Sequence, residues 1–192
     1  MDINEYNKYW EVFEENCKNC NACGLREGAN NVVVYRGSRL APLMIVGEAP
    51  GEQEDQQGKP FVGKSGQHMQ NLINALGFTS KHYHICNIIK CRPPQNRKPV
   101  DSEVAACKRL LAQQFKLVRP KIVLLCGMVA HQAFFGEGGR MEEVRGHFVE
   151  KNGYLLMTTY HPAYVLRNPD KRVGFYEDVE KIKNKMIELN LY

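Results

Sequence analysis

Four short, largely apolar runs alternate with amphipathic stretches along this chain, and the alternation limits the folds open to it. The runs are Leu43–Val46, Tyr83–Ile89, Ile122–Cys126 and Leu155–Tyr160. Each has strand length, and strands that are apolar throughout belong to parallel sheets covered by helices. Helices are predicted over residues 4–16, 66–76, 102–118, 128–135 and 173–190. Tyr6, Trp10 and Phe13 share a face of the first. Gly77 suits a C′ position, Asp101 an N-cap, and Pro120 follows the end of the third helix. Val32–Tyr35 is a further short apolar run. The expected architecture is α/β: a three-layer αβα sandwich around a central, mostly parallel four-stranded sheet, in a single domain over residues 1–192. In such sheets ligands bind beyond the C-terminal strand ends. Gly47, Asn87 and His161 fall there.

Composition narrows the class. The 192 residues are 43% apolar and 24% charged, as in soluble globular proteins. No apolar run approaches the length of a membrane span, and the N-terminus MDINEYNKYWEVFEEN is too polar and acidic for a secretory signal. A cytoplasmic protein is expected. The net charge of +5 is a mild basic bias that fits a polyanionic partner. Lys90, Arg92, Arg97 and Lys98 cluster around one Pro-rich loop, and Arg167, Lys171 and Arg172 around another segment.

Seven cysteines, an odd count without an export signal, point to metal or redox chemistry rather than to disulfides. One close pair lies in NCNACGL (Cys20, Cys23). Two distant thiols lie in KCRPPQNRKP (Cys91) and SEVAAC (Cys107). Such a set can hold zinc or an iron–sulfur cluster, and the wide spacing of the second pair leans toward a cluster. Cys17 extends the first pair to CxxCxxC, so any two of those three could bind. Cys86 and Cys126 lie in predicted strands and read as buried thiols.

The segments GEAPGEQEDQQGKPFVGKSGQ, NIIKCRPPQNRKP and HPAYVLRNP, in this order, closely resemble the motifs of the family 4 uracil-DNA glycosylases. The resemblance runs from about Asn19 to the C-terminal helix. It implies a monofunctional DNA glycosylase that flips uracil out of DNA and hydrolyses its N-glycosidic bond, initiating base excision repair. It selects Cys20 and Cys23 over Cys17 and implies a [4Fe–4S] cluster on Cys20, Cys23, Cys91 and Cys107. The implied partner is uracil-containing DNA, double- or single-stranded, and the protein is expected to act as a monomer. Cys17 and Cys86 are thiols beyond the family's usual pattern.

Base excision needs a pocket that holds the base, distinguishes it, stabilises negative charge on it and positions water. Phe61 is the expected stacking surface. Asn87 carries both a donor and an acceptor, and so can match uracil O4 and N3–H, which cytosine presents in reverse. His161 is expected to donate to uracil O2 as a neutral imidazole. Glu48 and Glu54 are the candidate carboxylates. One orients water or stabilises the sugar cation, and the resemblance implies Glu54 as a wall near uracil C5. Gly47 and Ala49 line the base site through their backbone. Glu52 and Asp55 are expected to be solvated or structural. Val165 or Leu166 is expected to wedge into the duplex, with Arg92, Arg97 and Arg167 on phosphates. Lys64, Ser65 and Gln67 could bind a phosphate at a helix start. His68, His82, His84, His131 and His147 are expected on surfaces or helix faces.

Overall fold

The computed structural model describes residues 2–192. Helices α1 (Ile3–Lys18) and α2 (Leu25–Gly28) precede strands β1 (Arg36–Gly37) and β2 (Leu43–Gly47). Helices α3 (Glu52–Gln57) and α4 (Lys64–Ala75) lead to β3 (Tyr83–Asn87). Then come α5 (Asp101–Val118), β4 (Ile122–Cys126), α6 (Met128–Phe135) and α7 (Met141–Val144). The chain closes with β5 (Phe148–Lys151), β6 (Tyr154–Thr159), α8 (Pro162–Arg167) and α9 (Arg172–Glu188).

The sheet has six strands in the order β1-β3-β2-β4-β6-β5. The inner four are parallel and coincide with the four apolar runs. The outer two, β1 and β5, pair antiparallel at the edges and extend the expected four-stranded sheet. Residues 32–35 are not a strand, although Val33 N–H donates to the Lys90 carbonyl at 2.8 Å.

Side chains alternate across the sheet, as the pleat requires. Met44 and Val46 face the layer of α1, α5 and α6, where Trp10, Phe13, Leu110 and Phe115 are buried. Leu43 and Ile45 face the layer of α4 and α9, with Met69, Ile73, Phe175 and Ile182. In α1 the buried stripe Tyr6, Trp10, Phe13 continues to Cys17. Gly77 closes α4 with φ +87°, the left-handed value that favours glycine.

The cap of α5 differs from expectation. Asp101 is the first helical residue and Val100 stands at the N-cap. The capping carboxylate is Glu103, which accepts from Val100 N–H at 2.9 Å. A carboxylate one turn in reaches the cap more readily than Asp101 can reach its own helix start. No helix among the described residues is long and apolar enough to cross a membrane.

Candidate active site

The parallel register brings the site together. Gly47 and Asn87 are paired partners at the C-terminal ends of β2 and β3, and Cys126 pairs with Thr159 two strands across. Four segments leave this edge, two of them beginning at Gly47 and His161. They enclose a cavity of about 420 Å³ lined by Glu48, Ala49, Glu54, Phe61, Asn87 and His161, with Arg97, Tyr164 and Arg167 nearer its rim.

Asn87 is 2% exposed, and its side-chain Nδ2 has no hydrogen-bond partner. Buried amide donors are almost always satisfied, so an unpaired one bordering a cavity calls for a ligand acceptor. Gly47 makes the placement possible: a Cβ there would lie 2.5 Å from Asn87 Oδ1 and 2.7 Å from Phe61 Cε2. Both site groups therefore pack directly against a bare backbone. Gly47→Ala is expected to displace Phe61 and Asn87, lowering stability by about 1–3 kcal/mol and the rate of the pocket's chemistry by more than that loss explains. Urea unfolding beside rate measurements checks this.

Phe61 is buried and holds φ +57°, a conformation uncommon for a residue with a Cβ. The fold enforces it from two sides. Gly66 lets α4 pass within 2.1 Å of the Phe61 backbone, measured from an ideal Cβ position. Arg36 on edge strand β1 donates to the Phe61 carbonyl at 3.3 Å and to Gln70 Oε1 at 2.6 Å. Strain of this kind collects at sites where a side chain must be aimed.

His161 is the N-cap of α8. Its Nδ1 accepts from Ala163 N–H at 3.2 Å, which puts the ring proton on Nε2. Burial, and then the nearby Arg167 charge, push its pKa down to about 4. The imidazole is thus neutral at neutral pH with Nε2–H free to donate. Its ring centroid lies 6.2 Å from that of Phe61. The capping role and the expected donor role coexist in one ring.

The two carboxylates differ. Glu54 accepts from Gly51, Val62 and Gly63 N–H at 3.1, 2.9 and 2.8 Å. It clamps the two Gly-rich turns of the pocket while lining the cavity, a structural role beside the expected wall near the base. Its oxygens occupy Val62 and Gly63 N–H just ahead of α4; of the expected phosphate group Lys64, Ser65 and Gln67, Ser65 lines the cavity. Glu48 lines the cavity, half-buried, and burial raises its pKa above the usual carboxylate value despite the opposing charge of Lys98. Asp55 is structural as expected, buried and accepting from Asn30 and Asn31. Glu52 is exposed.

The rim also departs from expectation. Val165 is fully buried in the core and cannot wedge into DNA, because helical geometry turns it inward. Leu166 is half-buried and does not line the cavity. The face of α8 toward the pocket carries Ala163, Tyr164 and Arg167. Tyr164, 39% exposed and stacked on Tyr160 at 5.7 Å, is a site residue that the sequence reading missed; its only signal was an aromatic three positions after His161. Arg97 is bound to Glu103 through two guanidinium nitrogens, at 2.6 and 2.8 Å, so its charge is largely matched within the protein. Arg92 holds Asn96 at 2.7 Å.

A second, smaller cavity is lined by Cys20, Cys23, Cys91 and Cys107, together with Cys17, Lys90 and Arg26. Among the described residues no three His, Cys, Asp or Glu side chains stand close enough to hold one metal ion. The thiols nevertheless sense one another: burial, then Cys107 and Cys23, push Cys91 up to about 12. The charge of Lys90 acts in the opposite direction, favouring the thiolates of Cys17 and Cys107. Four soft donors around one cavity beside buried positive charge fit an anionic thiolate-bound cluster. Cys17 borders the same cavity, deeper and fully buried. Cys86 and Cys126 are buried thiols, as expected.

The architecture and pocket define a class before any individual relative is compared: a family model described as the uracil DNA glycosylase superfamily matches residues 34–186. A type-4 uracil-DNA glycosylase of Thermotoga maritima is 37% identical over 179 residues, covering 91% of this chain and 93% of that protein. Proteins of the same name from Saccharolobus solfataricus and Pyrobaculum aerophilum are 38% and 39% identical, covering 86% and 90% of their own lengths. The chain belongs to the type-4 uracil-DNA glycosylases.

Proposed function

We infer that this protein excises uracil from DNA by hydrolysing the N-glycosidic bond, and that the cavity at the sheet edge is where it does so. One observation carries the assignment of the pocket: the unpaired amide of Asn87, bordering a cavity shared with Phe61 and the Nε2–H of His161. A flipped uracil stacks on Phe61. Asn87 donates from Nδ2 to O4 and accepts at Oδ1 from N3–H; cytosine, with N4–H₂ and a bare N3, mismatches both. As the C1′–N1 bond breaks, its electrons pass to the base, and the His161 Nε2–H stabilises the charge at O2. The neutral ring suits this role because no proton need transfer. Water adds to C1′ on the face toward Glu48, whose carboxylate orients it, stabilises the sugar cation and accepts the proton that the new C1′–OH sheds; the released uracil anion takes a proton from solvent. Arg167 and Lys98, with Arg92, are the rim cations offered to phosphates.

The thiolates of Cys20, Cys23, Cys91 and Cys107 would hold a [4Fe–4S] cluster. Bound there, the cluster ties the N-terminal segment and the loop after Asn87 to α5, a structural contribution. The substrate sets the compartment, since the protein must act where the genome lies.

The test compares wild-type protein on DNA strands carrying one uracil, cytosine or thymine at the same position. Release of uracil alone is expected. Equal release of cytosine would reject the Asn87 reading, and no release of any base would reject the activity.

Glu48 yields a pH prediction. Its folded pKa is raised, so the stability it contributes is full below its ordinary value of 4.5 and is lost as pH rises through the folded value. The ionised side chain is therefore a liability at neutral pH. Glu48→Gln is expected to raise the melting temperature at pH 7, with little change at pH 3, while lowering uracil release at pH 7 by about 10²-fold. Thermal melts at both pH values check the first part, and the acid limb of the wild-type rate should lie above the usual carboxylate range.

A further inference from the structure

Behind Asn87 runs a buried polar chain that the site as described does not use. Lys90 is 1% exposed, and its ammonium donates to the Asn87 carbonyl at 2.9 Å and to Gln114 Oε1 at 2.5 Å. Gln114, fully buried on α5, donates through Nε2 to the Val34 carbonyl at 3.1 Å and to His84 Nε2 at 2.8 Å. That leaves Nδ1–H of His84 to donate to the Ser38 carbonyl at 2.8 Å. His84 had been expected on a surface or helix face. It lies instead fully buried in β3, stacked on Tyr35 at 4.7 Å, and burial pushes its pKa down to about 3. The donors thus run one way, from Lys90 through Gln114 and His84 to Ser38.

Burying an ammonium group without a carboxylate is costly; the thiolate site beside Lys90 and its two buried acceptors offset that cost, and an apolar side chain there would leave both acceptors unpaired. The contact that the ammonium makes toward the pocket is with the backbone of the base-reading residue. On its other side that backbone is fixed by the sheet, where Ile88 N–H donates to the Gly47 carbonyl at 2.9 Å. Together the two bonds immobilise the strand end from which the Asn87 amide projects. Lys90 also lines the thiol cavity, so one residue joins that cavity to the base pocket.

We propose that Lys90 is a positioning residue for base recognition: its ammonium, oriented by Gln114 and His84, clamps the Asn87 carbonyl and so aims the amide at the base. The proposal rests on the base-excision reading above.

A double-mutant cycle tests it. Uracil release at saturating DNA is measured for wild type, Lys90→Met, Asn87→Ala and the double variant, with DNA affinity and iron content determined on each. Lys90→Met is expected to slow release about 10- to 100-fold and to leave DNA affinity unchanged, because phosphate contacts dominate it. The double variant should be no slower than Asn87→Ala, since the amide that Lys90 aims is then absent. A purely structural lysine would slow both backgrounds equally. That outcome, or a Lys90→Met protein releasing uracil at the wild-type rate, overturns the proposal. If Lys90→Met does not fold, Gln114→Leu carries the same cycle: a several-fold loss is expected in the wild-type background and none in Asn87→Ala, and equal losses in both overturn it. A wild type that releases no uracil would reject the function instead. The Asn87 side-chain amide resonances would then decide: they should shift and broaden in the Lys90 variant, and unchanged resonances overturn the proposal.

Discussion

His161→Ala is expected to lower uracil release by about 10²- to 10³-fold while leaving affinity for uracil-containing DNA almost unchanged. The loss follows from where charge appears. In the ground state O2 of uracil is a carbonyl oxygen that a neutral donor bonds weakly; in the transition state it carries much of the charge of the departing base. The Nε2–H of His161 is held toward that charge by the Nδ1 cap on Ala163. Because burial keeps the ring's pKa near 4, the donor is the same neutral imidazole across the neutral and mildly acidic range. The rate should therefore show no inflection near pH 6.5, the value of an ordinary histidine. Single-turnover kinetics across pH 5–8 test both statements. An inflection near 6.5 that vanishes in the alanine variant would show that the charged ring is the active form.

Asn87→Ala is the second large effect, about 10²-fold in uracil release. Two hydrogen bonds to the base disappear, and the one to O4 strengthens as the base becomes an anion. The variant should lose rate without losing stability, because the Asn87 Nδ2 has no protein partner to forfeit. Truncating a buried polar side chain ordinarily destabilises a fold, so unchanged or raised stability beside a collapsed rate would mark the amide as reserved for a ligand. Denaturant unfolding of the variant beside its rate constant reads both.

How far the sequence foretold this depended on whether the deciding contacts were local. The parallel strands were legible because Ile122–Cys126 and its neighbours are apolar over a strand's length, whichever face is considered. Their ends gave the site, since a parallel sheet exposes those ends together: Asn87 and His161 line one cavity, and Gly47 packs directly behind Asn87 and Phe61. Edge strands were not legible: β1 is two residues, Arg36–Gly37, and β5 has no consistently buried face. Glu54 could not be assigned from sequence, as its three donors lie up to nine residues away across two turns. His84 and Lys90 read as ordinary polar residues because Gln114, which makes their burial tolerable, is 30 and 24 positions distant. Val165 was misread for a different reason. The segment after His161 is a one-and-a-half-turn helix, too short to show a periodicity, and only its geometry turns Val165 inward and Tyr164 outward.

The most direct measurement places wild type, Asn87→Ala and His161→Ala side by side on a DNA duplex carrying a single uracil, using iron-loaded protein purified without oxygen, and follows free uracil and DNA binding together. Release by wild type, with both variants binding the duplex normally but releasing uracil at least tenfold more slowly, is the predicted result. A wild type that binds the duplex and leaves uracil in place, or variants that release it at the wild-type rate, would contradict the assignment of this pocket to uracil excision.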